Sequence, residues 1–226
     1  MNLETHYRQL WQQSSQSFKQ GLFELDPLLD ASSDRRYGLT LLLRPAPHVL
    51  EKTQGFLADI RLLEPHQYYY PASDIHVTVM SIISCYEGFL LSSINLQDYT
   101  ELVAEAVSVI NPFTIHFKGI TASPSCIMVQ GFPAANSLNK FRDVIRETFK
   151  RSGLQQSMDR RYTIQTAHST VIRFRRQVEQ HERLLLKLEE YRDYHFGSSE
   201  IVQAELVYND WYQRKGKVQV LQTFRF

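Results

Sequence analysis

Two short motifs carry residues suited by type and spacing to proton transfer. Asp74-Ile75-His76-Val77-Thr78-Val79 and Thr166-Ala167-His168-Ser169-Thr170-Val171 each set His and Thr two residues apart, followed by an apolar residue. With 8 His in 226 residues, chance supplies about 0.4 His-x-Thr triplets, so two copies in matched settings are informative. A strand alternates its side chains, so each motif offers one imidazole and one hydroxyl on the same face. Histidine changes charge between pH 5 and 8, so one ring can serve as general base while the other, protonated, serves as general acid. In displacement at phosphorus the entering and leaving oxygens lie roughly in line, so such a pair must flank the phosphate from opposite sides. The two threonine hydroxyls can donate to its non-bridging oxygens. His76, Thr78, His168 and Thr170 are therefore the candidate catalytic residues.

The elements that would position them follow from periodicity. Helical stripes run through Val49, Thr53, Phe56, Ile60 and Leu63, and through Leu102, Ala106 and Val109. Two more run through Leu138, Phe141, Ile145 and Phe149, and through Leu184, Leu188 and Tyr191. A weaker helix opens the chain with Leu3, Tyr7, Leu10 and Trp11, and a turn-rich connection follows it. Strand-type runs fall at 37–44, 75–84, 113–121, 126–132, 167–175, 201–208 and 217–226. Strand, helix, strand, helix, strand therefore occurs twice, with the histidine in the middle strand each time. The expectation is an α+β fold of two pseudo-symmetric lobes. Each lobe has an antiparallel-rich sheet with helices on its outer face, and the active cleft lies between them. In this reading 1–226 is one domain: a helix and connection over 1–36, a lobe over 37–121 and a lobe over 122–226.

Composition narrows the function classes. Hydrophobic residues are 43% and charged residues 22%, ordinary for a globular chain, and the net charge of +1 disfavours a general polyanion binder. The charge is uneven, however: residues 139–187 carry a net +7, with Arg160, Arg161, Arg173, Arg175 and Arg176 around His168. Cys85 and Cys126 are too few for a disulfide framework. The start of the chain lacks a leader's apolar run, and no stretch is apolar enough to span a bilayer, so a cytoplasmic protein without membrane contact is expected. Neither a Cys-x-x-Cys nor a His-Glu-x-x-His occurs, and there is no Gly-rich phosphate loop or Gly-x-Ser-x-Gly elbow. No metal and no cofactor are expected, and nothing in the sequence requires more than a monomer.

Two His-x-Thr motifs on central strands of two α+β lobes resemble the two-histidine (2H) phosphoesterase superfamily, which includes bacterial 2′-5′ RNA ligases and cyclic phosphodiesterases. The resemblance runs from about Tyr37 to the end, and HSTVIR (168–173) is similar to the family's His-x-Thr-apolar-apolar-Arg. It implies metal-independent cleavage or transfer at a 2′,3′-cyclic phosphate or 2′-5′ phosphodiester. An RNA end or small nucleotide is the implied substrate, with His76 and His168 as acid and base and Thr78 and Thr170 as phosphate clamps. The first motif departs from the pattern: Met80-Ser81-Ile82-Ile83 stands where bacterial members often end the strand with Gly. The alternative is a catalytically idle RNA- or nucleotide-binding module of the same fold.

Other residues are weaker candidates. Tyr70 shares strand parity with His76 and could stack on a base, and Trp211 and Tyr212 invite the same reading; packing is the simpler role for all three. Arg173 lies five residues past His168, so on a straight strand it points to the opposite face and would need a bulge to reach a phosphate. His116 and Lys118 read as solvated strand surface.

Overall fold

The structure is a computed structural model, and it describes residues 2–160 and 163–226. The chain opens with α1 (Leu3–Lys19), where Asn2 caps the Thr5 amide at 3.2 Å, and Tyr7, Trp11, Ser14 and Phe18 form the buried stripe. Then come β1 (Arg36–Leu43), α2 (Pro47–Leu63), β2 (Tyr68–Tyr69), β3 (Val77–Glu87), α3 (Leu96–Val107) and β4 (Phe113–Ser123). The second half holds β5 (Cys126–Pro133), α4 (Ser137–Ser152), β6 (Ser169–Arg173), α5 (His181–Glu190), β7 (His195–Ile201), β8 (Gln203–Asp210) and β9 (Gln219–Arg225).

The strands form two antiparallel sheets, ordered β3-β1-β8-β9 and β2-β6-β5-β4-β7. The fold class is as expected, but sheet membership corrects the sequential lobes. β4, assigned to the first lobe, pairs with β5 and β7 in the second sheet, and β8 and β9 return to pair beside β1 in the first. The predicted strand at 201–208 corresponds to β8, and β7, which ends just before it at Ile201 and belongs to the other sheet, was not predicted. The helices cross as well. α2 follows β1 yet packs on β6 and β7, whereas α4 follows β5 yet packs on β3 and α3. One continuous core, including Leu41, Val79, Ile127, Phe141, Val171 and Leu206, therefore spans both sheets. The apolar faces of interleaved elements are buried only when both halves are present.

Each motif strand is bulged at the same point. Thr78 pairs with Leu42 and Met80 with Leu41, which leaves Val79 as the extra residue. Thr170 pairs with Met128 and Ile172 with Ile127, which leaves Val171 as the extra residue. Both valines are fully buried. A bulge bends its strand and re-aims the side chains that follow.

Candidate active site

The strand parity expected from sequence holds at the motifs. Val77, Val79, Ala167, Ser169 and Val171 are buried, while His76, Thr78, His168 and Thr170 are half-buried and line one cleft between the sheets. The cleft has a volume of about 220 Å³. That is smaller than a typical drug-sized pocket of about 300–1,000 Å³, so it suits a phosphate with one adjoining group, the rest of a longer ligand extending from the mouth.

The two imidazoles are held differently. His76 Nδ1 lies 2.7 Å from the Asp74 carbonyl oxygen, which can only accept. Nδ1 therefore carries a proton, and neutral His76 presents the lone pair of Nε2. His168 Nδ1 lies 2.8 Å from Thr166 Oγ1, a hydroxyl that can donate or accept, so either nitrogen of His168 can hold the proton. Burial pulls both groups down to about 4. For His76 the Asp74 carbonyl works against that shift, and Arg44 and Arg173 reinforce it; for His168 the positive charge of Arg142, then His76, Arg173 and His6 reinforce it. A negatively charged phosphate between the rings would reverse much of this and raise both.

Arg173 belongs to the cleft after all. The bulge at Val171 turns it onto the face of His168 and Thr170, where it lines the same space. Its Nε donates to the Tyr70 hydroxyl at 2.9 Å, its Nη1 is 4.0 Å from Asp26, and its guanidinium lies over the Tyr212 ring at 5.6 Å. For Tyr70, the weaker stacking candidate, these contacts agree with the simpler packing role. Its ring is only 2% exposed and meets Tyr68 edge-on at 5.0 Å, so it offers no stacking face; its hydroxyl orients Arg173. Tyr212 is likewise buried, whereas Trp211 is partly exposed and forms part of the cleft wall.

Arg142 was missed by sequence reasoning. It is fully buried on α4, and its guanidinium donates to the carbonyls of Thr78 (2.7 Å), Val79 (2.9 Å) and Thr166 (2.8 Å). One side chain thus ties the two motifs together, partly through the carbonyl that the first bulge presents. Its signal was available: it stands four residues after Leu138 and three before Ile145, at a core position on the stripe of Leu138, Phe141, Ile145 and Phe149. Tyr7 plays a similar part from α1. Its buried hydroxyl accepts from the Ala167 amide at 3.0 Å and donates to the Gly131 carbonyl at 3.3 Å. A Cβ at Gly131 would collide with the Ala167 carbonyl oxygen, so only glycine lets β5 approach β6 this closely beside His168.

Between α4 and β6, Ser157, Asp159, Arg160 and Ile164 line the cleft. The Ser157 amide donates to the Ile82 carbonyl at 2.9 Å, and Ser157 Oγ accepts from the Ser84 amide at 2.7 Å. Asp159 lines the cleft but is tied to Arg146 at 2.5 Å. Of the expected basic cluster, Arg173 lies inside and Arg160 at the exposed rim. Arg175 turns away to His66 and Asp30, and Arg161 lies outside the described residues. His116 and Lys118 are on a separate surface, bonded to Ser198 and paired with Asp193. Among the described residues no three His, Cys, Asp or Glu side chains gather as metal ligands, and no helix is long and apolar enough to cross a membrane.

The model of the AKAP7 2′5′ RNA ligase-like domain family matches residues 48–226, most of the chain and both motifs. The chain belongs to this family. As an AKAP7 2′5′ RNA ligase-like domain it is a member of the 2H phosphoesterase superfamily, and the two-sheet fold agrees with solved structures. Escherichia coli LigT complexed with 3′-AMP superposes with a TM-score of 0.58 at 12% identity, over 84% of this chain and 98% of that one. TT0787 of Thermus thermophilus gives 0.53 at 14% identity, over 83% and 97%. The protein ATU0111 from Agrobacterium tumefaciens gives 0.51 at 14% identity, over 90% and 92%. No curated protein sequence matches the chain.

Proposed function

We propose that this family member is a metal-independent phosphoesterase. It acts at a 2′,3′-cyclic phosphate or 2′-5′ phosphodiester of an RNA end or small nucleotide. The observation that carries the reading is the pair of His-Thr units facing one cationic cleft, His76 with Thr78 and His168 with Thr170. Water or a ribose hydroxyl adds to phosphorus as its proton passes to one imidazole. The bond to the leaving ribose oxygen breaks as the other imidazole protonates that oxygen. With water, a cyclic phosphate opens to a monoester and a free hydroxyl; with a ribose hydroxyl, a new phosphodiester forms. Thr78, Thr170 and Arg173 donate to the non-bridging oxygens, where negative charge is stabilised. The LigT structures, which hold 3′-AMP, ATP and phosphate, support a phosphate-bearing nucleotide as ligand.

The test is turnover of 2′,3′-cyclic mononucleotides, cyclic-phosphate-ended RNA and 2′-5′-linked oligomers in excess chelator. Loss of activity on chelation contradicts the metal-independent mechanism. Binding without turnover of any of them would leave the cleft as a nucleotide-binding module.

A further inference from the structure

Arg173 lines the cleft with part of its hydrogen-bonding capacity unused. Nε donates to the Tyr70 hydroxyl at 2.9 Å, while among the described residues no acceptor lies within hydrogen-bond distance of Nη1 or Nη2. Those nitrogens carry N–H groups that a phosphate can take as a forked pair. Asp26 stands near them without bonding to them. Its Oδ2 is 4.0 Å from Nη1, and among the described residues it is the only carboxylate that close to Arg173. Asp26 is not part of the cleft wall, so it meets a ligand there through its charge rather than by contact.

The carboxylate is fixed in place. Its side chain is 16% exposed, and Oδ1 accepts from the Tyr212 hydroxyl at 2.9 Å and from the Leu28 amide at 3.1 Å. The Tyr212 hydroxyl in turn accepts from Arg36 Nη2 at 3.1 Å, and Asp34 holds Arg36 through two bonds of 2.9 Å. The backbone is pinned as well. The amides of Glu24 and Asp26 donate to the carbonyls of Pro124 and Phe174, each at 2.9 Å, which straps the connection after α1 against the β4–β5 turn and the end of β6. This strap precedes the residues 48–226 that the family model matches.

We infer that Asp26 sets the charge selectivity of the cleft: acting through Arg173, it disfavours the dianionic phosphomonoester that the reaction releases relative to the monoanionic diester that it consumes. The inference rests on the phosphoesterase reading above and goes one step further. A cyclic phosphate or phosphodiester carries one negative charge. Opening a cyclic phosphate with water gives a monoester, whose second proton leaves near pH 6, so it approaches two charges above pH 7. An uncompensated Arg173 would hold that product more tightly than the substrate. Asp26 offsets the excess while leaving the Nη donors free. A phosphate bonded to those donors lies within about 8 Å of the carboxylate, where one unit charge changes affinity roughly 3- to 30-fold.

The test is calorimetric binding, at a pH well above 6, of 2′-deoxyadenosine 3′-phosphate and of its methyl ester to the intact protein. The two share a nucleoside and differ by about one charge, and neither has the 2′ hydroxyl needed to cyclise. Asp26→Asn keeps an oxygen for Tyr212 and Leu28 but removes the charge. It should tighten both ligands, and the monoester roughly 3- to 30-fold more than the ester. Asp26→Ser, whose hydroxyl can still accept from the Leu28 amide, is a second neutral variant with the same expectation. Asp26→Glu keeps the charge and should keep the original ratio of affinities. In turnover assays the neutral variants should show product inhibition strengthened by a similar factor. An unchanged ratio in both neutral variants, or equal weakening of both ligands as a merely structural role would give, overturns the inference and leaves the phosphoesterase reading standing. A shifted ratio with no turnover anywhere in the substrate panel removes the phosphoesterase reading but leaves the charge selectivity. Absence of binding by both ligands overturns the inference as well.

Discussion

His76 and His168 lie well below the usual imidazole range because they are partly withdrawn from water, and cations rather than carboxylates surround them. This has a kinetic consequence. The kcat/KM profile reports the free protein, whereas kcat reports the complex. A bound phosphate anion raises both imidazoles, so the acid histidine loses its proton at a higher pH in the complex. The alkaline limb of kcat should therefore lie above that of kcat/KM; coincident limbs would mean that the rings do not contact phosphate. His76→Ala and His168→Ala should each lower kcat by about 10²- to 10⁴-fold, the range of a lost acid or base. Thr78→Val or Thr170→Val should lower kcat/KM by roughly 10- to 150-fold, the worth of one hydrogen bond to a charged oxygen. Single-turnover assays on folded variants check both ranges.

The elements explain how such residues reach one another. Each motif strand is bulged directly after its threonine, and α4 crosses from the second sheet's connectivity to pack on the first. Arg142 uses that crossing to bond carbonyls of both motifs. Arg142→Gln should destabilise the fold by about 3 kcal/mol or more, since it leaves buried carbonyls without donors. Arg142→Lys keeps the charge but cannot reach three carbonyls, so it should lower kcat more than it raises KM. Urea denaturation and steady-state kinetics separate the two effects. Tyr7→Phe should cost about 1–3 kcal/mol by orphaning the Ala167 amide, which makes α1 a brace of the second motif rather than a lid. Helical stripes and strand alternation are local patterns, which is why both motifs, their common faces and all five helices were legible. Whether β4 pairs within its own half depends on partners such as β7, about 80 residues away, and no periodicity encodes that choice. The bulges were illegible for the same reason, since they exist only against a partner strand. Straight-strand parity therefore placed Arg173 on the wrong face.

For the molecule as a whole, the interleaving of strands and helices makes the two sheets one cooperative core with the cleft along their seam. Acid should then act on the fold as well as on the reaction. The unfolded chain binds protons at its histidines near pH 6.5, whereas folded His76 and His168 resist until about 4. The unfolded state therefore gains protons first as pH falls, and these two groups lower stability progressively between about 6.5 and 4. Melting temperatures across that window should fall with pH. Inorganic phosphate should reduce the fall, and a His76→Asn, His168→Asn double variant should flatten it. An unchanged slope in the double variant would place the acid sensitivity elsewhere. The most direct test of the central claim is turnover of a 2′,3′-cyclic nucleotide in excess chelator by the intact protein beside His76→Ala and His168→Ala. Cyclic-phosphate opening that survives chelation and is lost in both variants is the predicted result. Turnover that persists in either folded variant, or that vanishes with chelator, would contradict the two-histidine account.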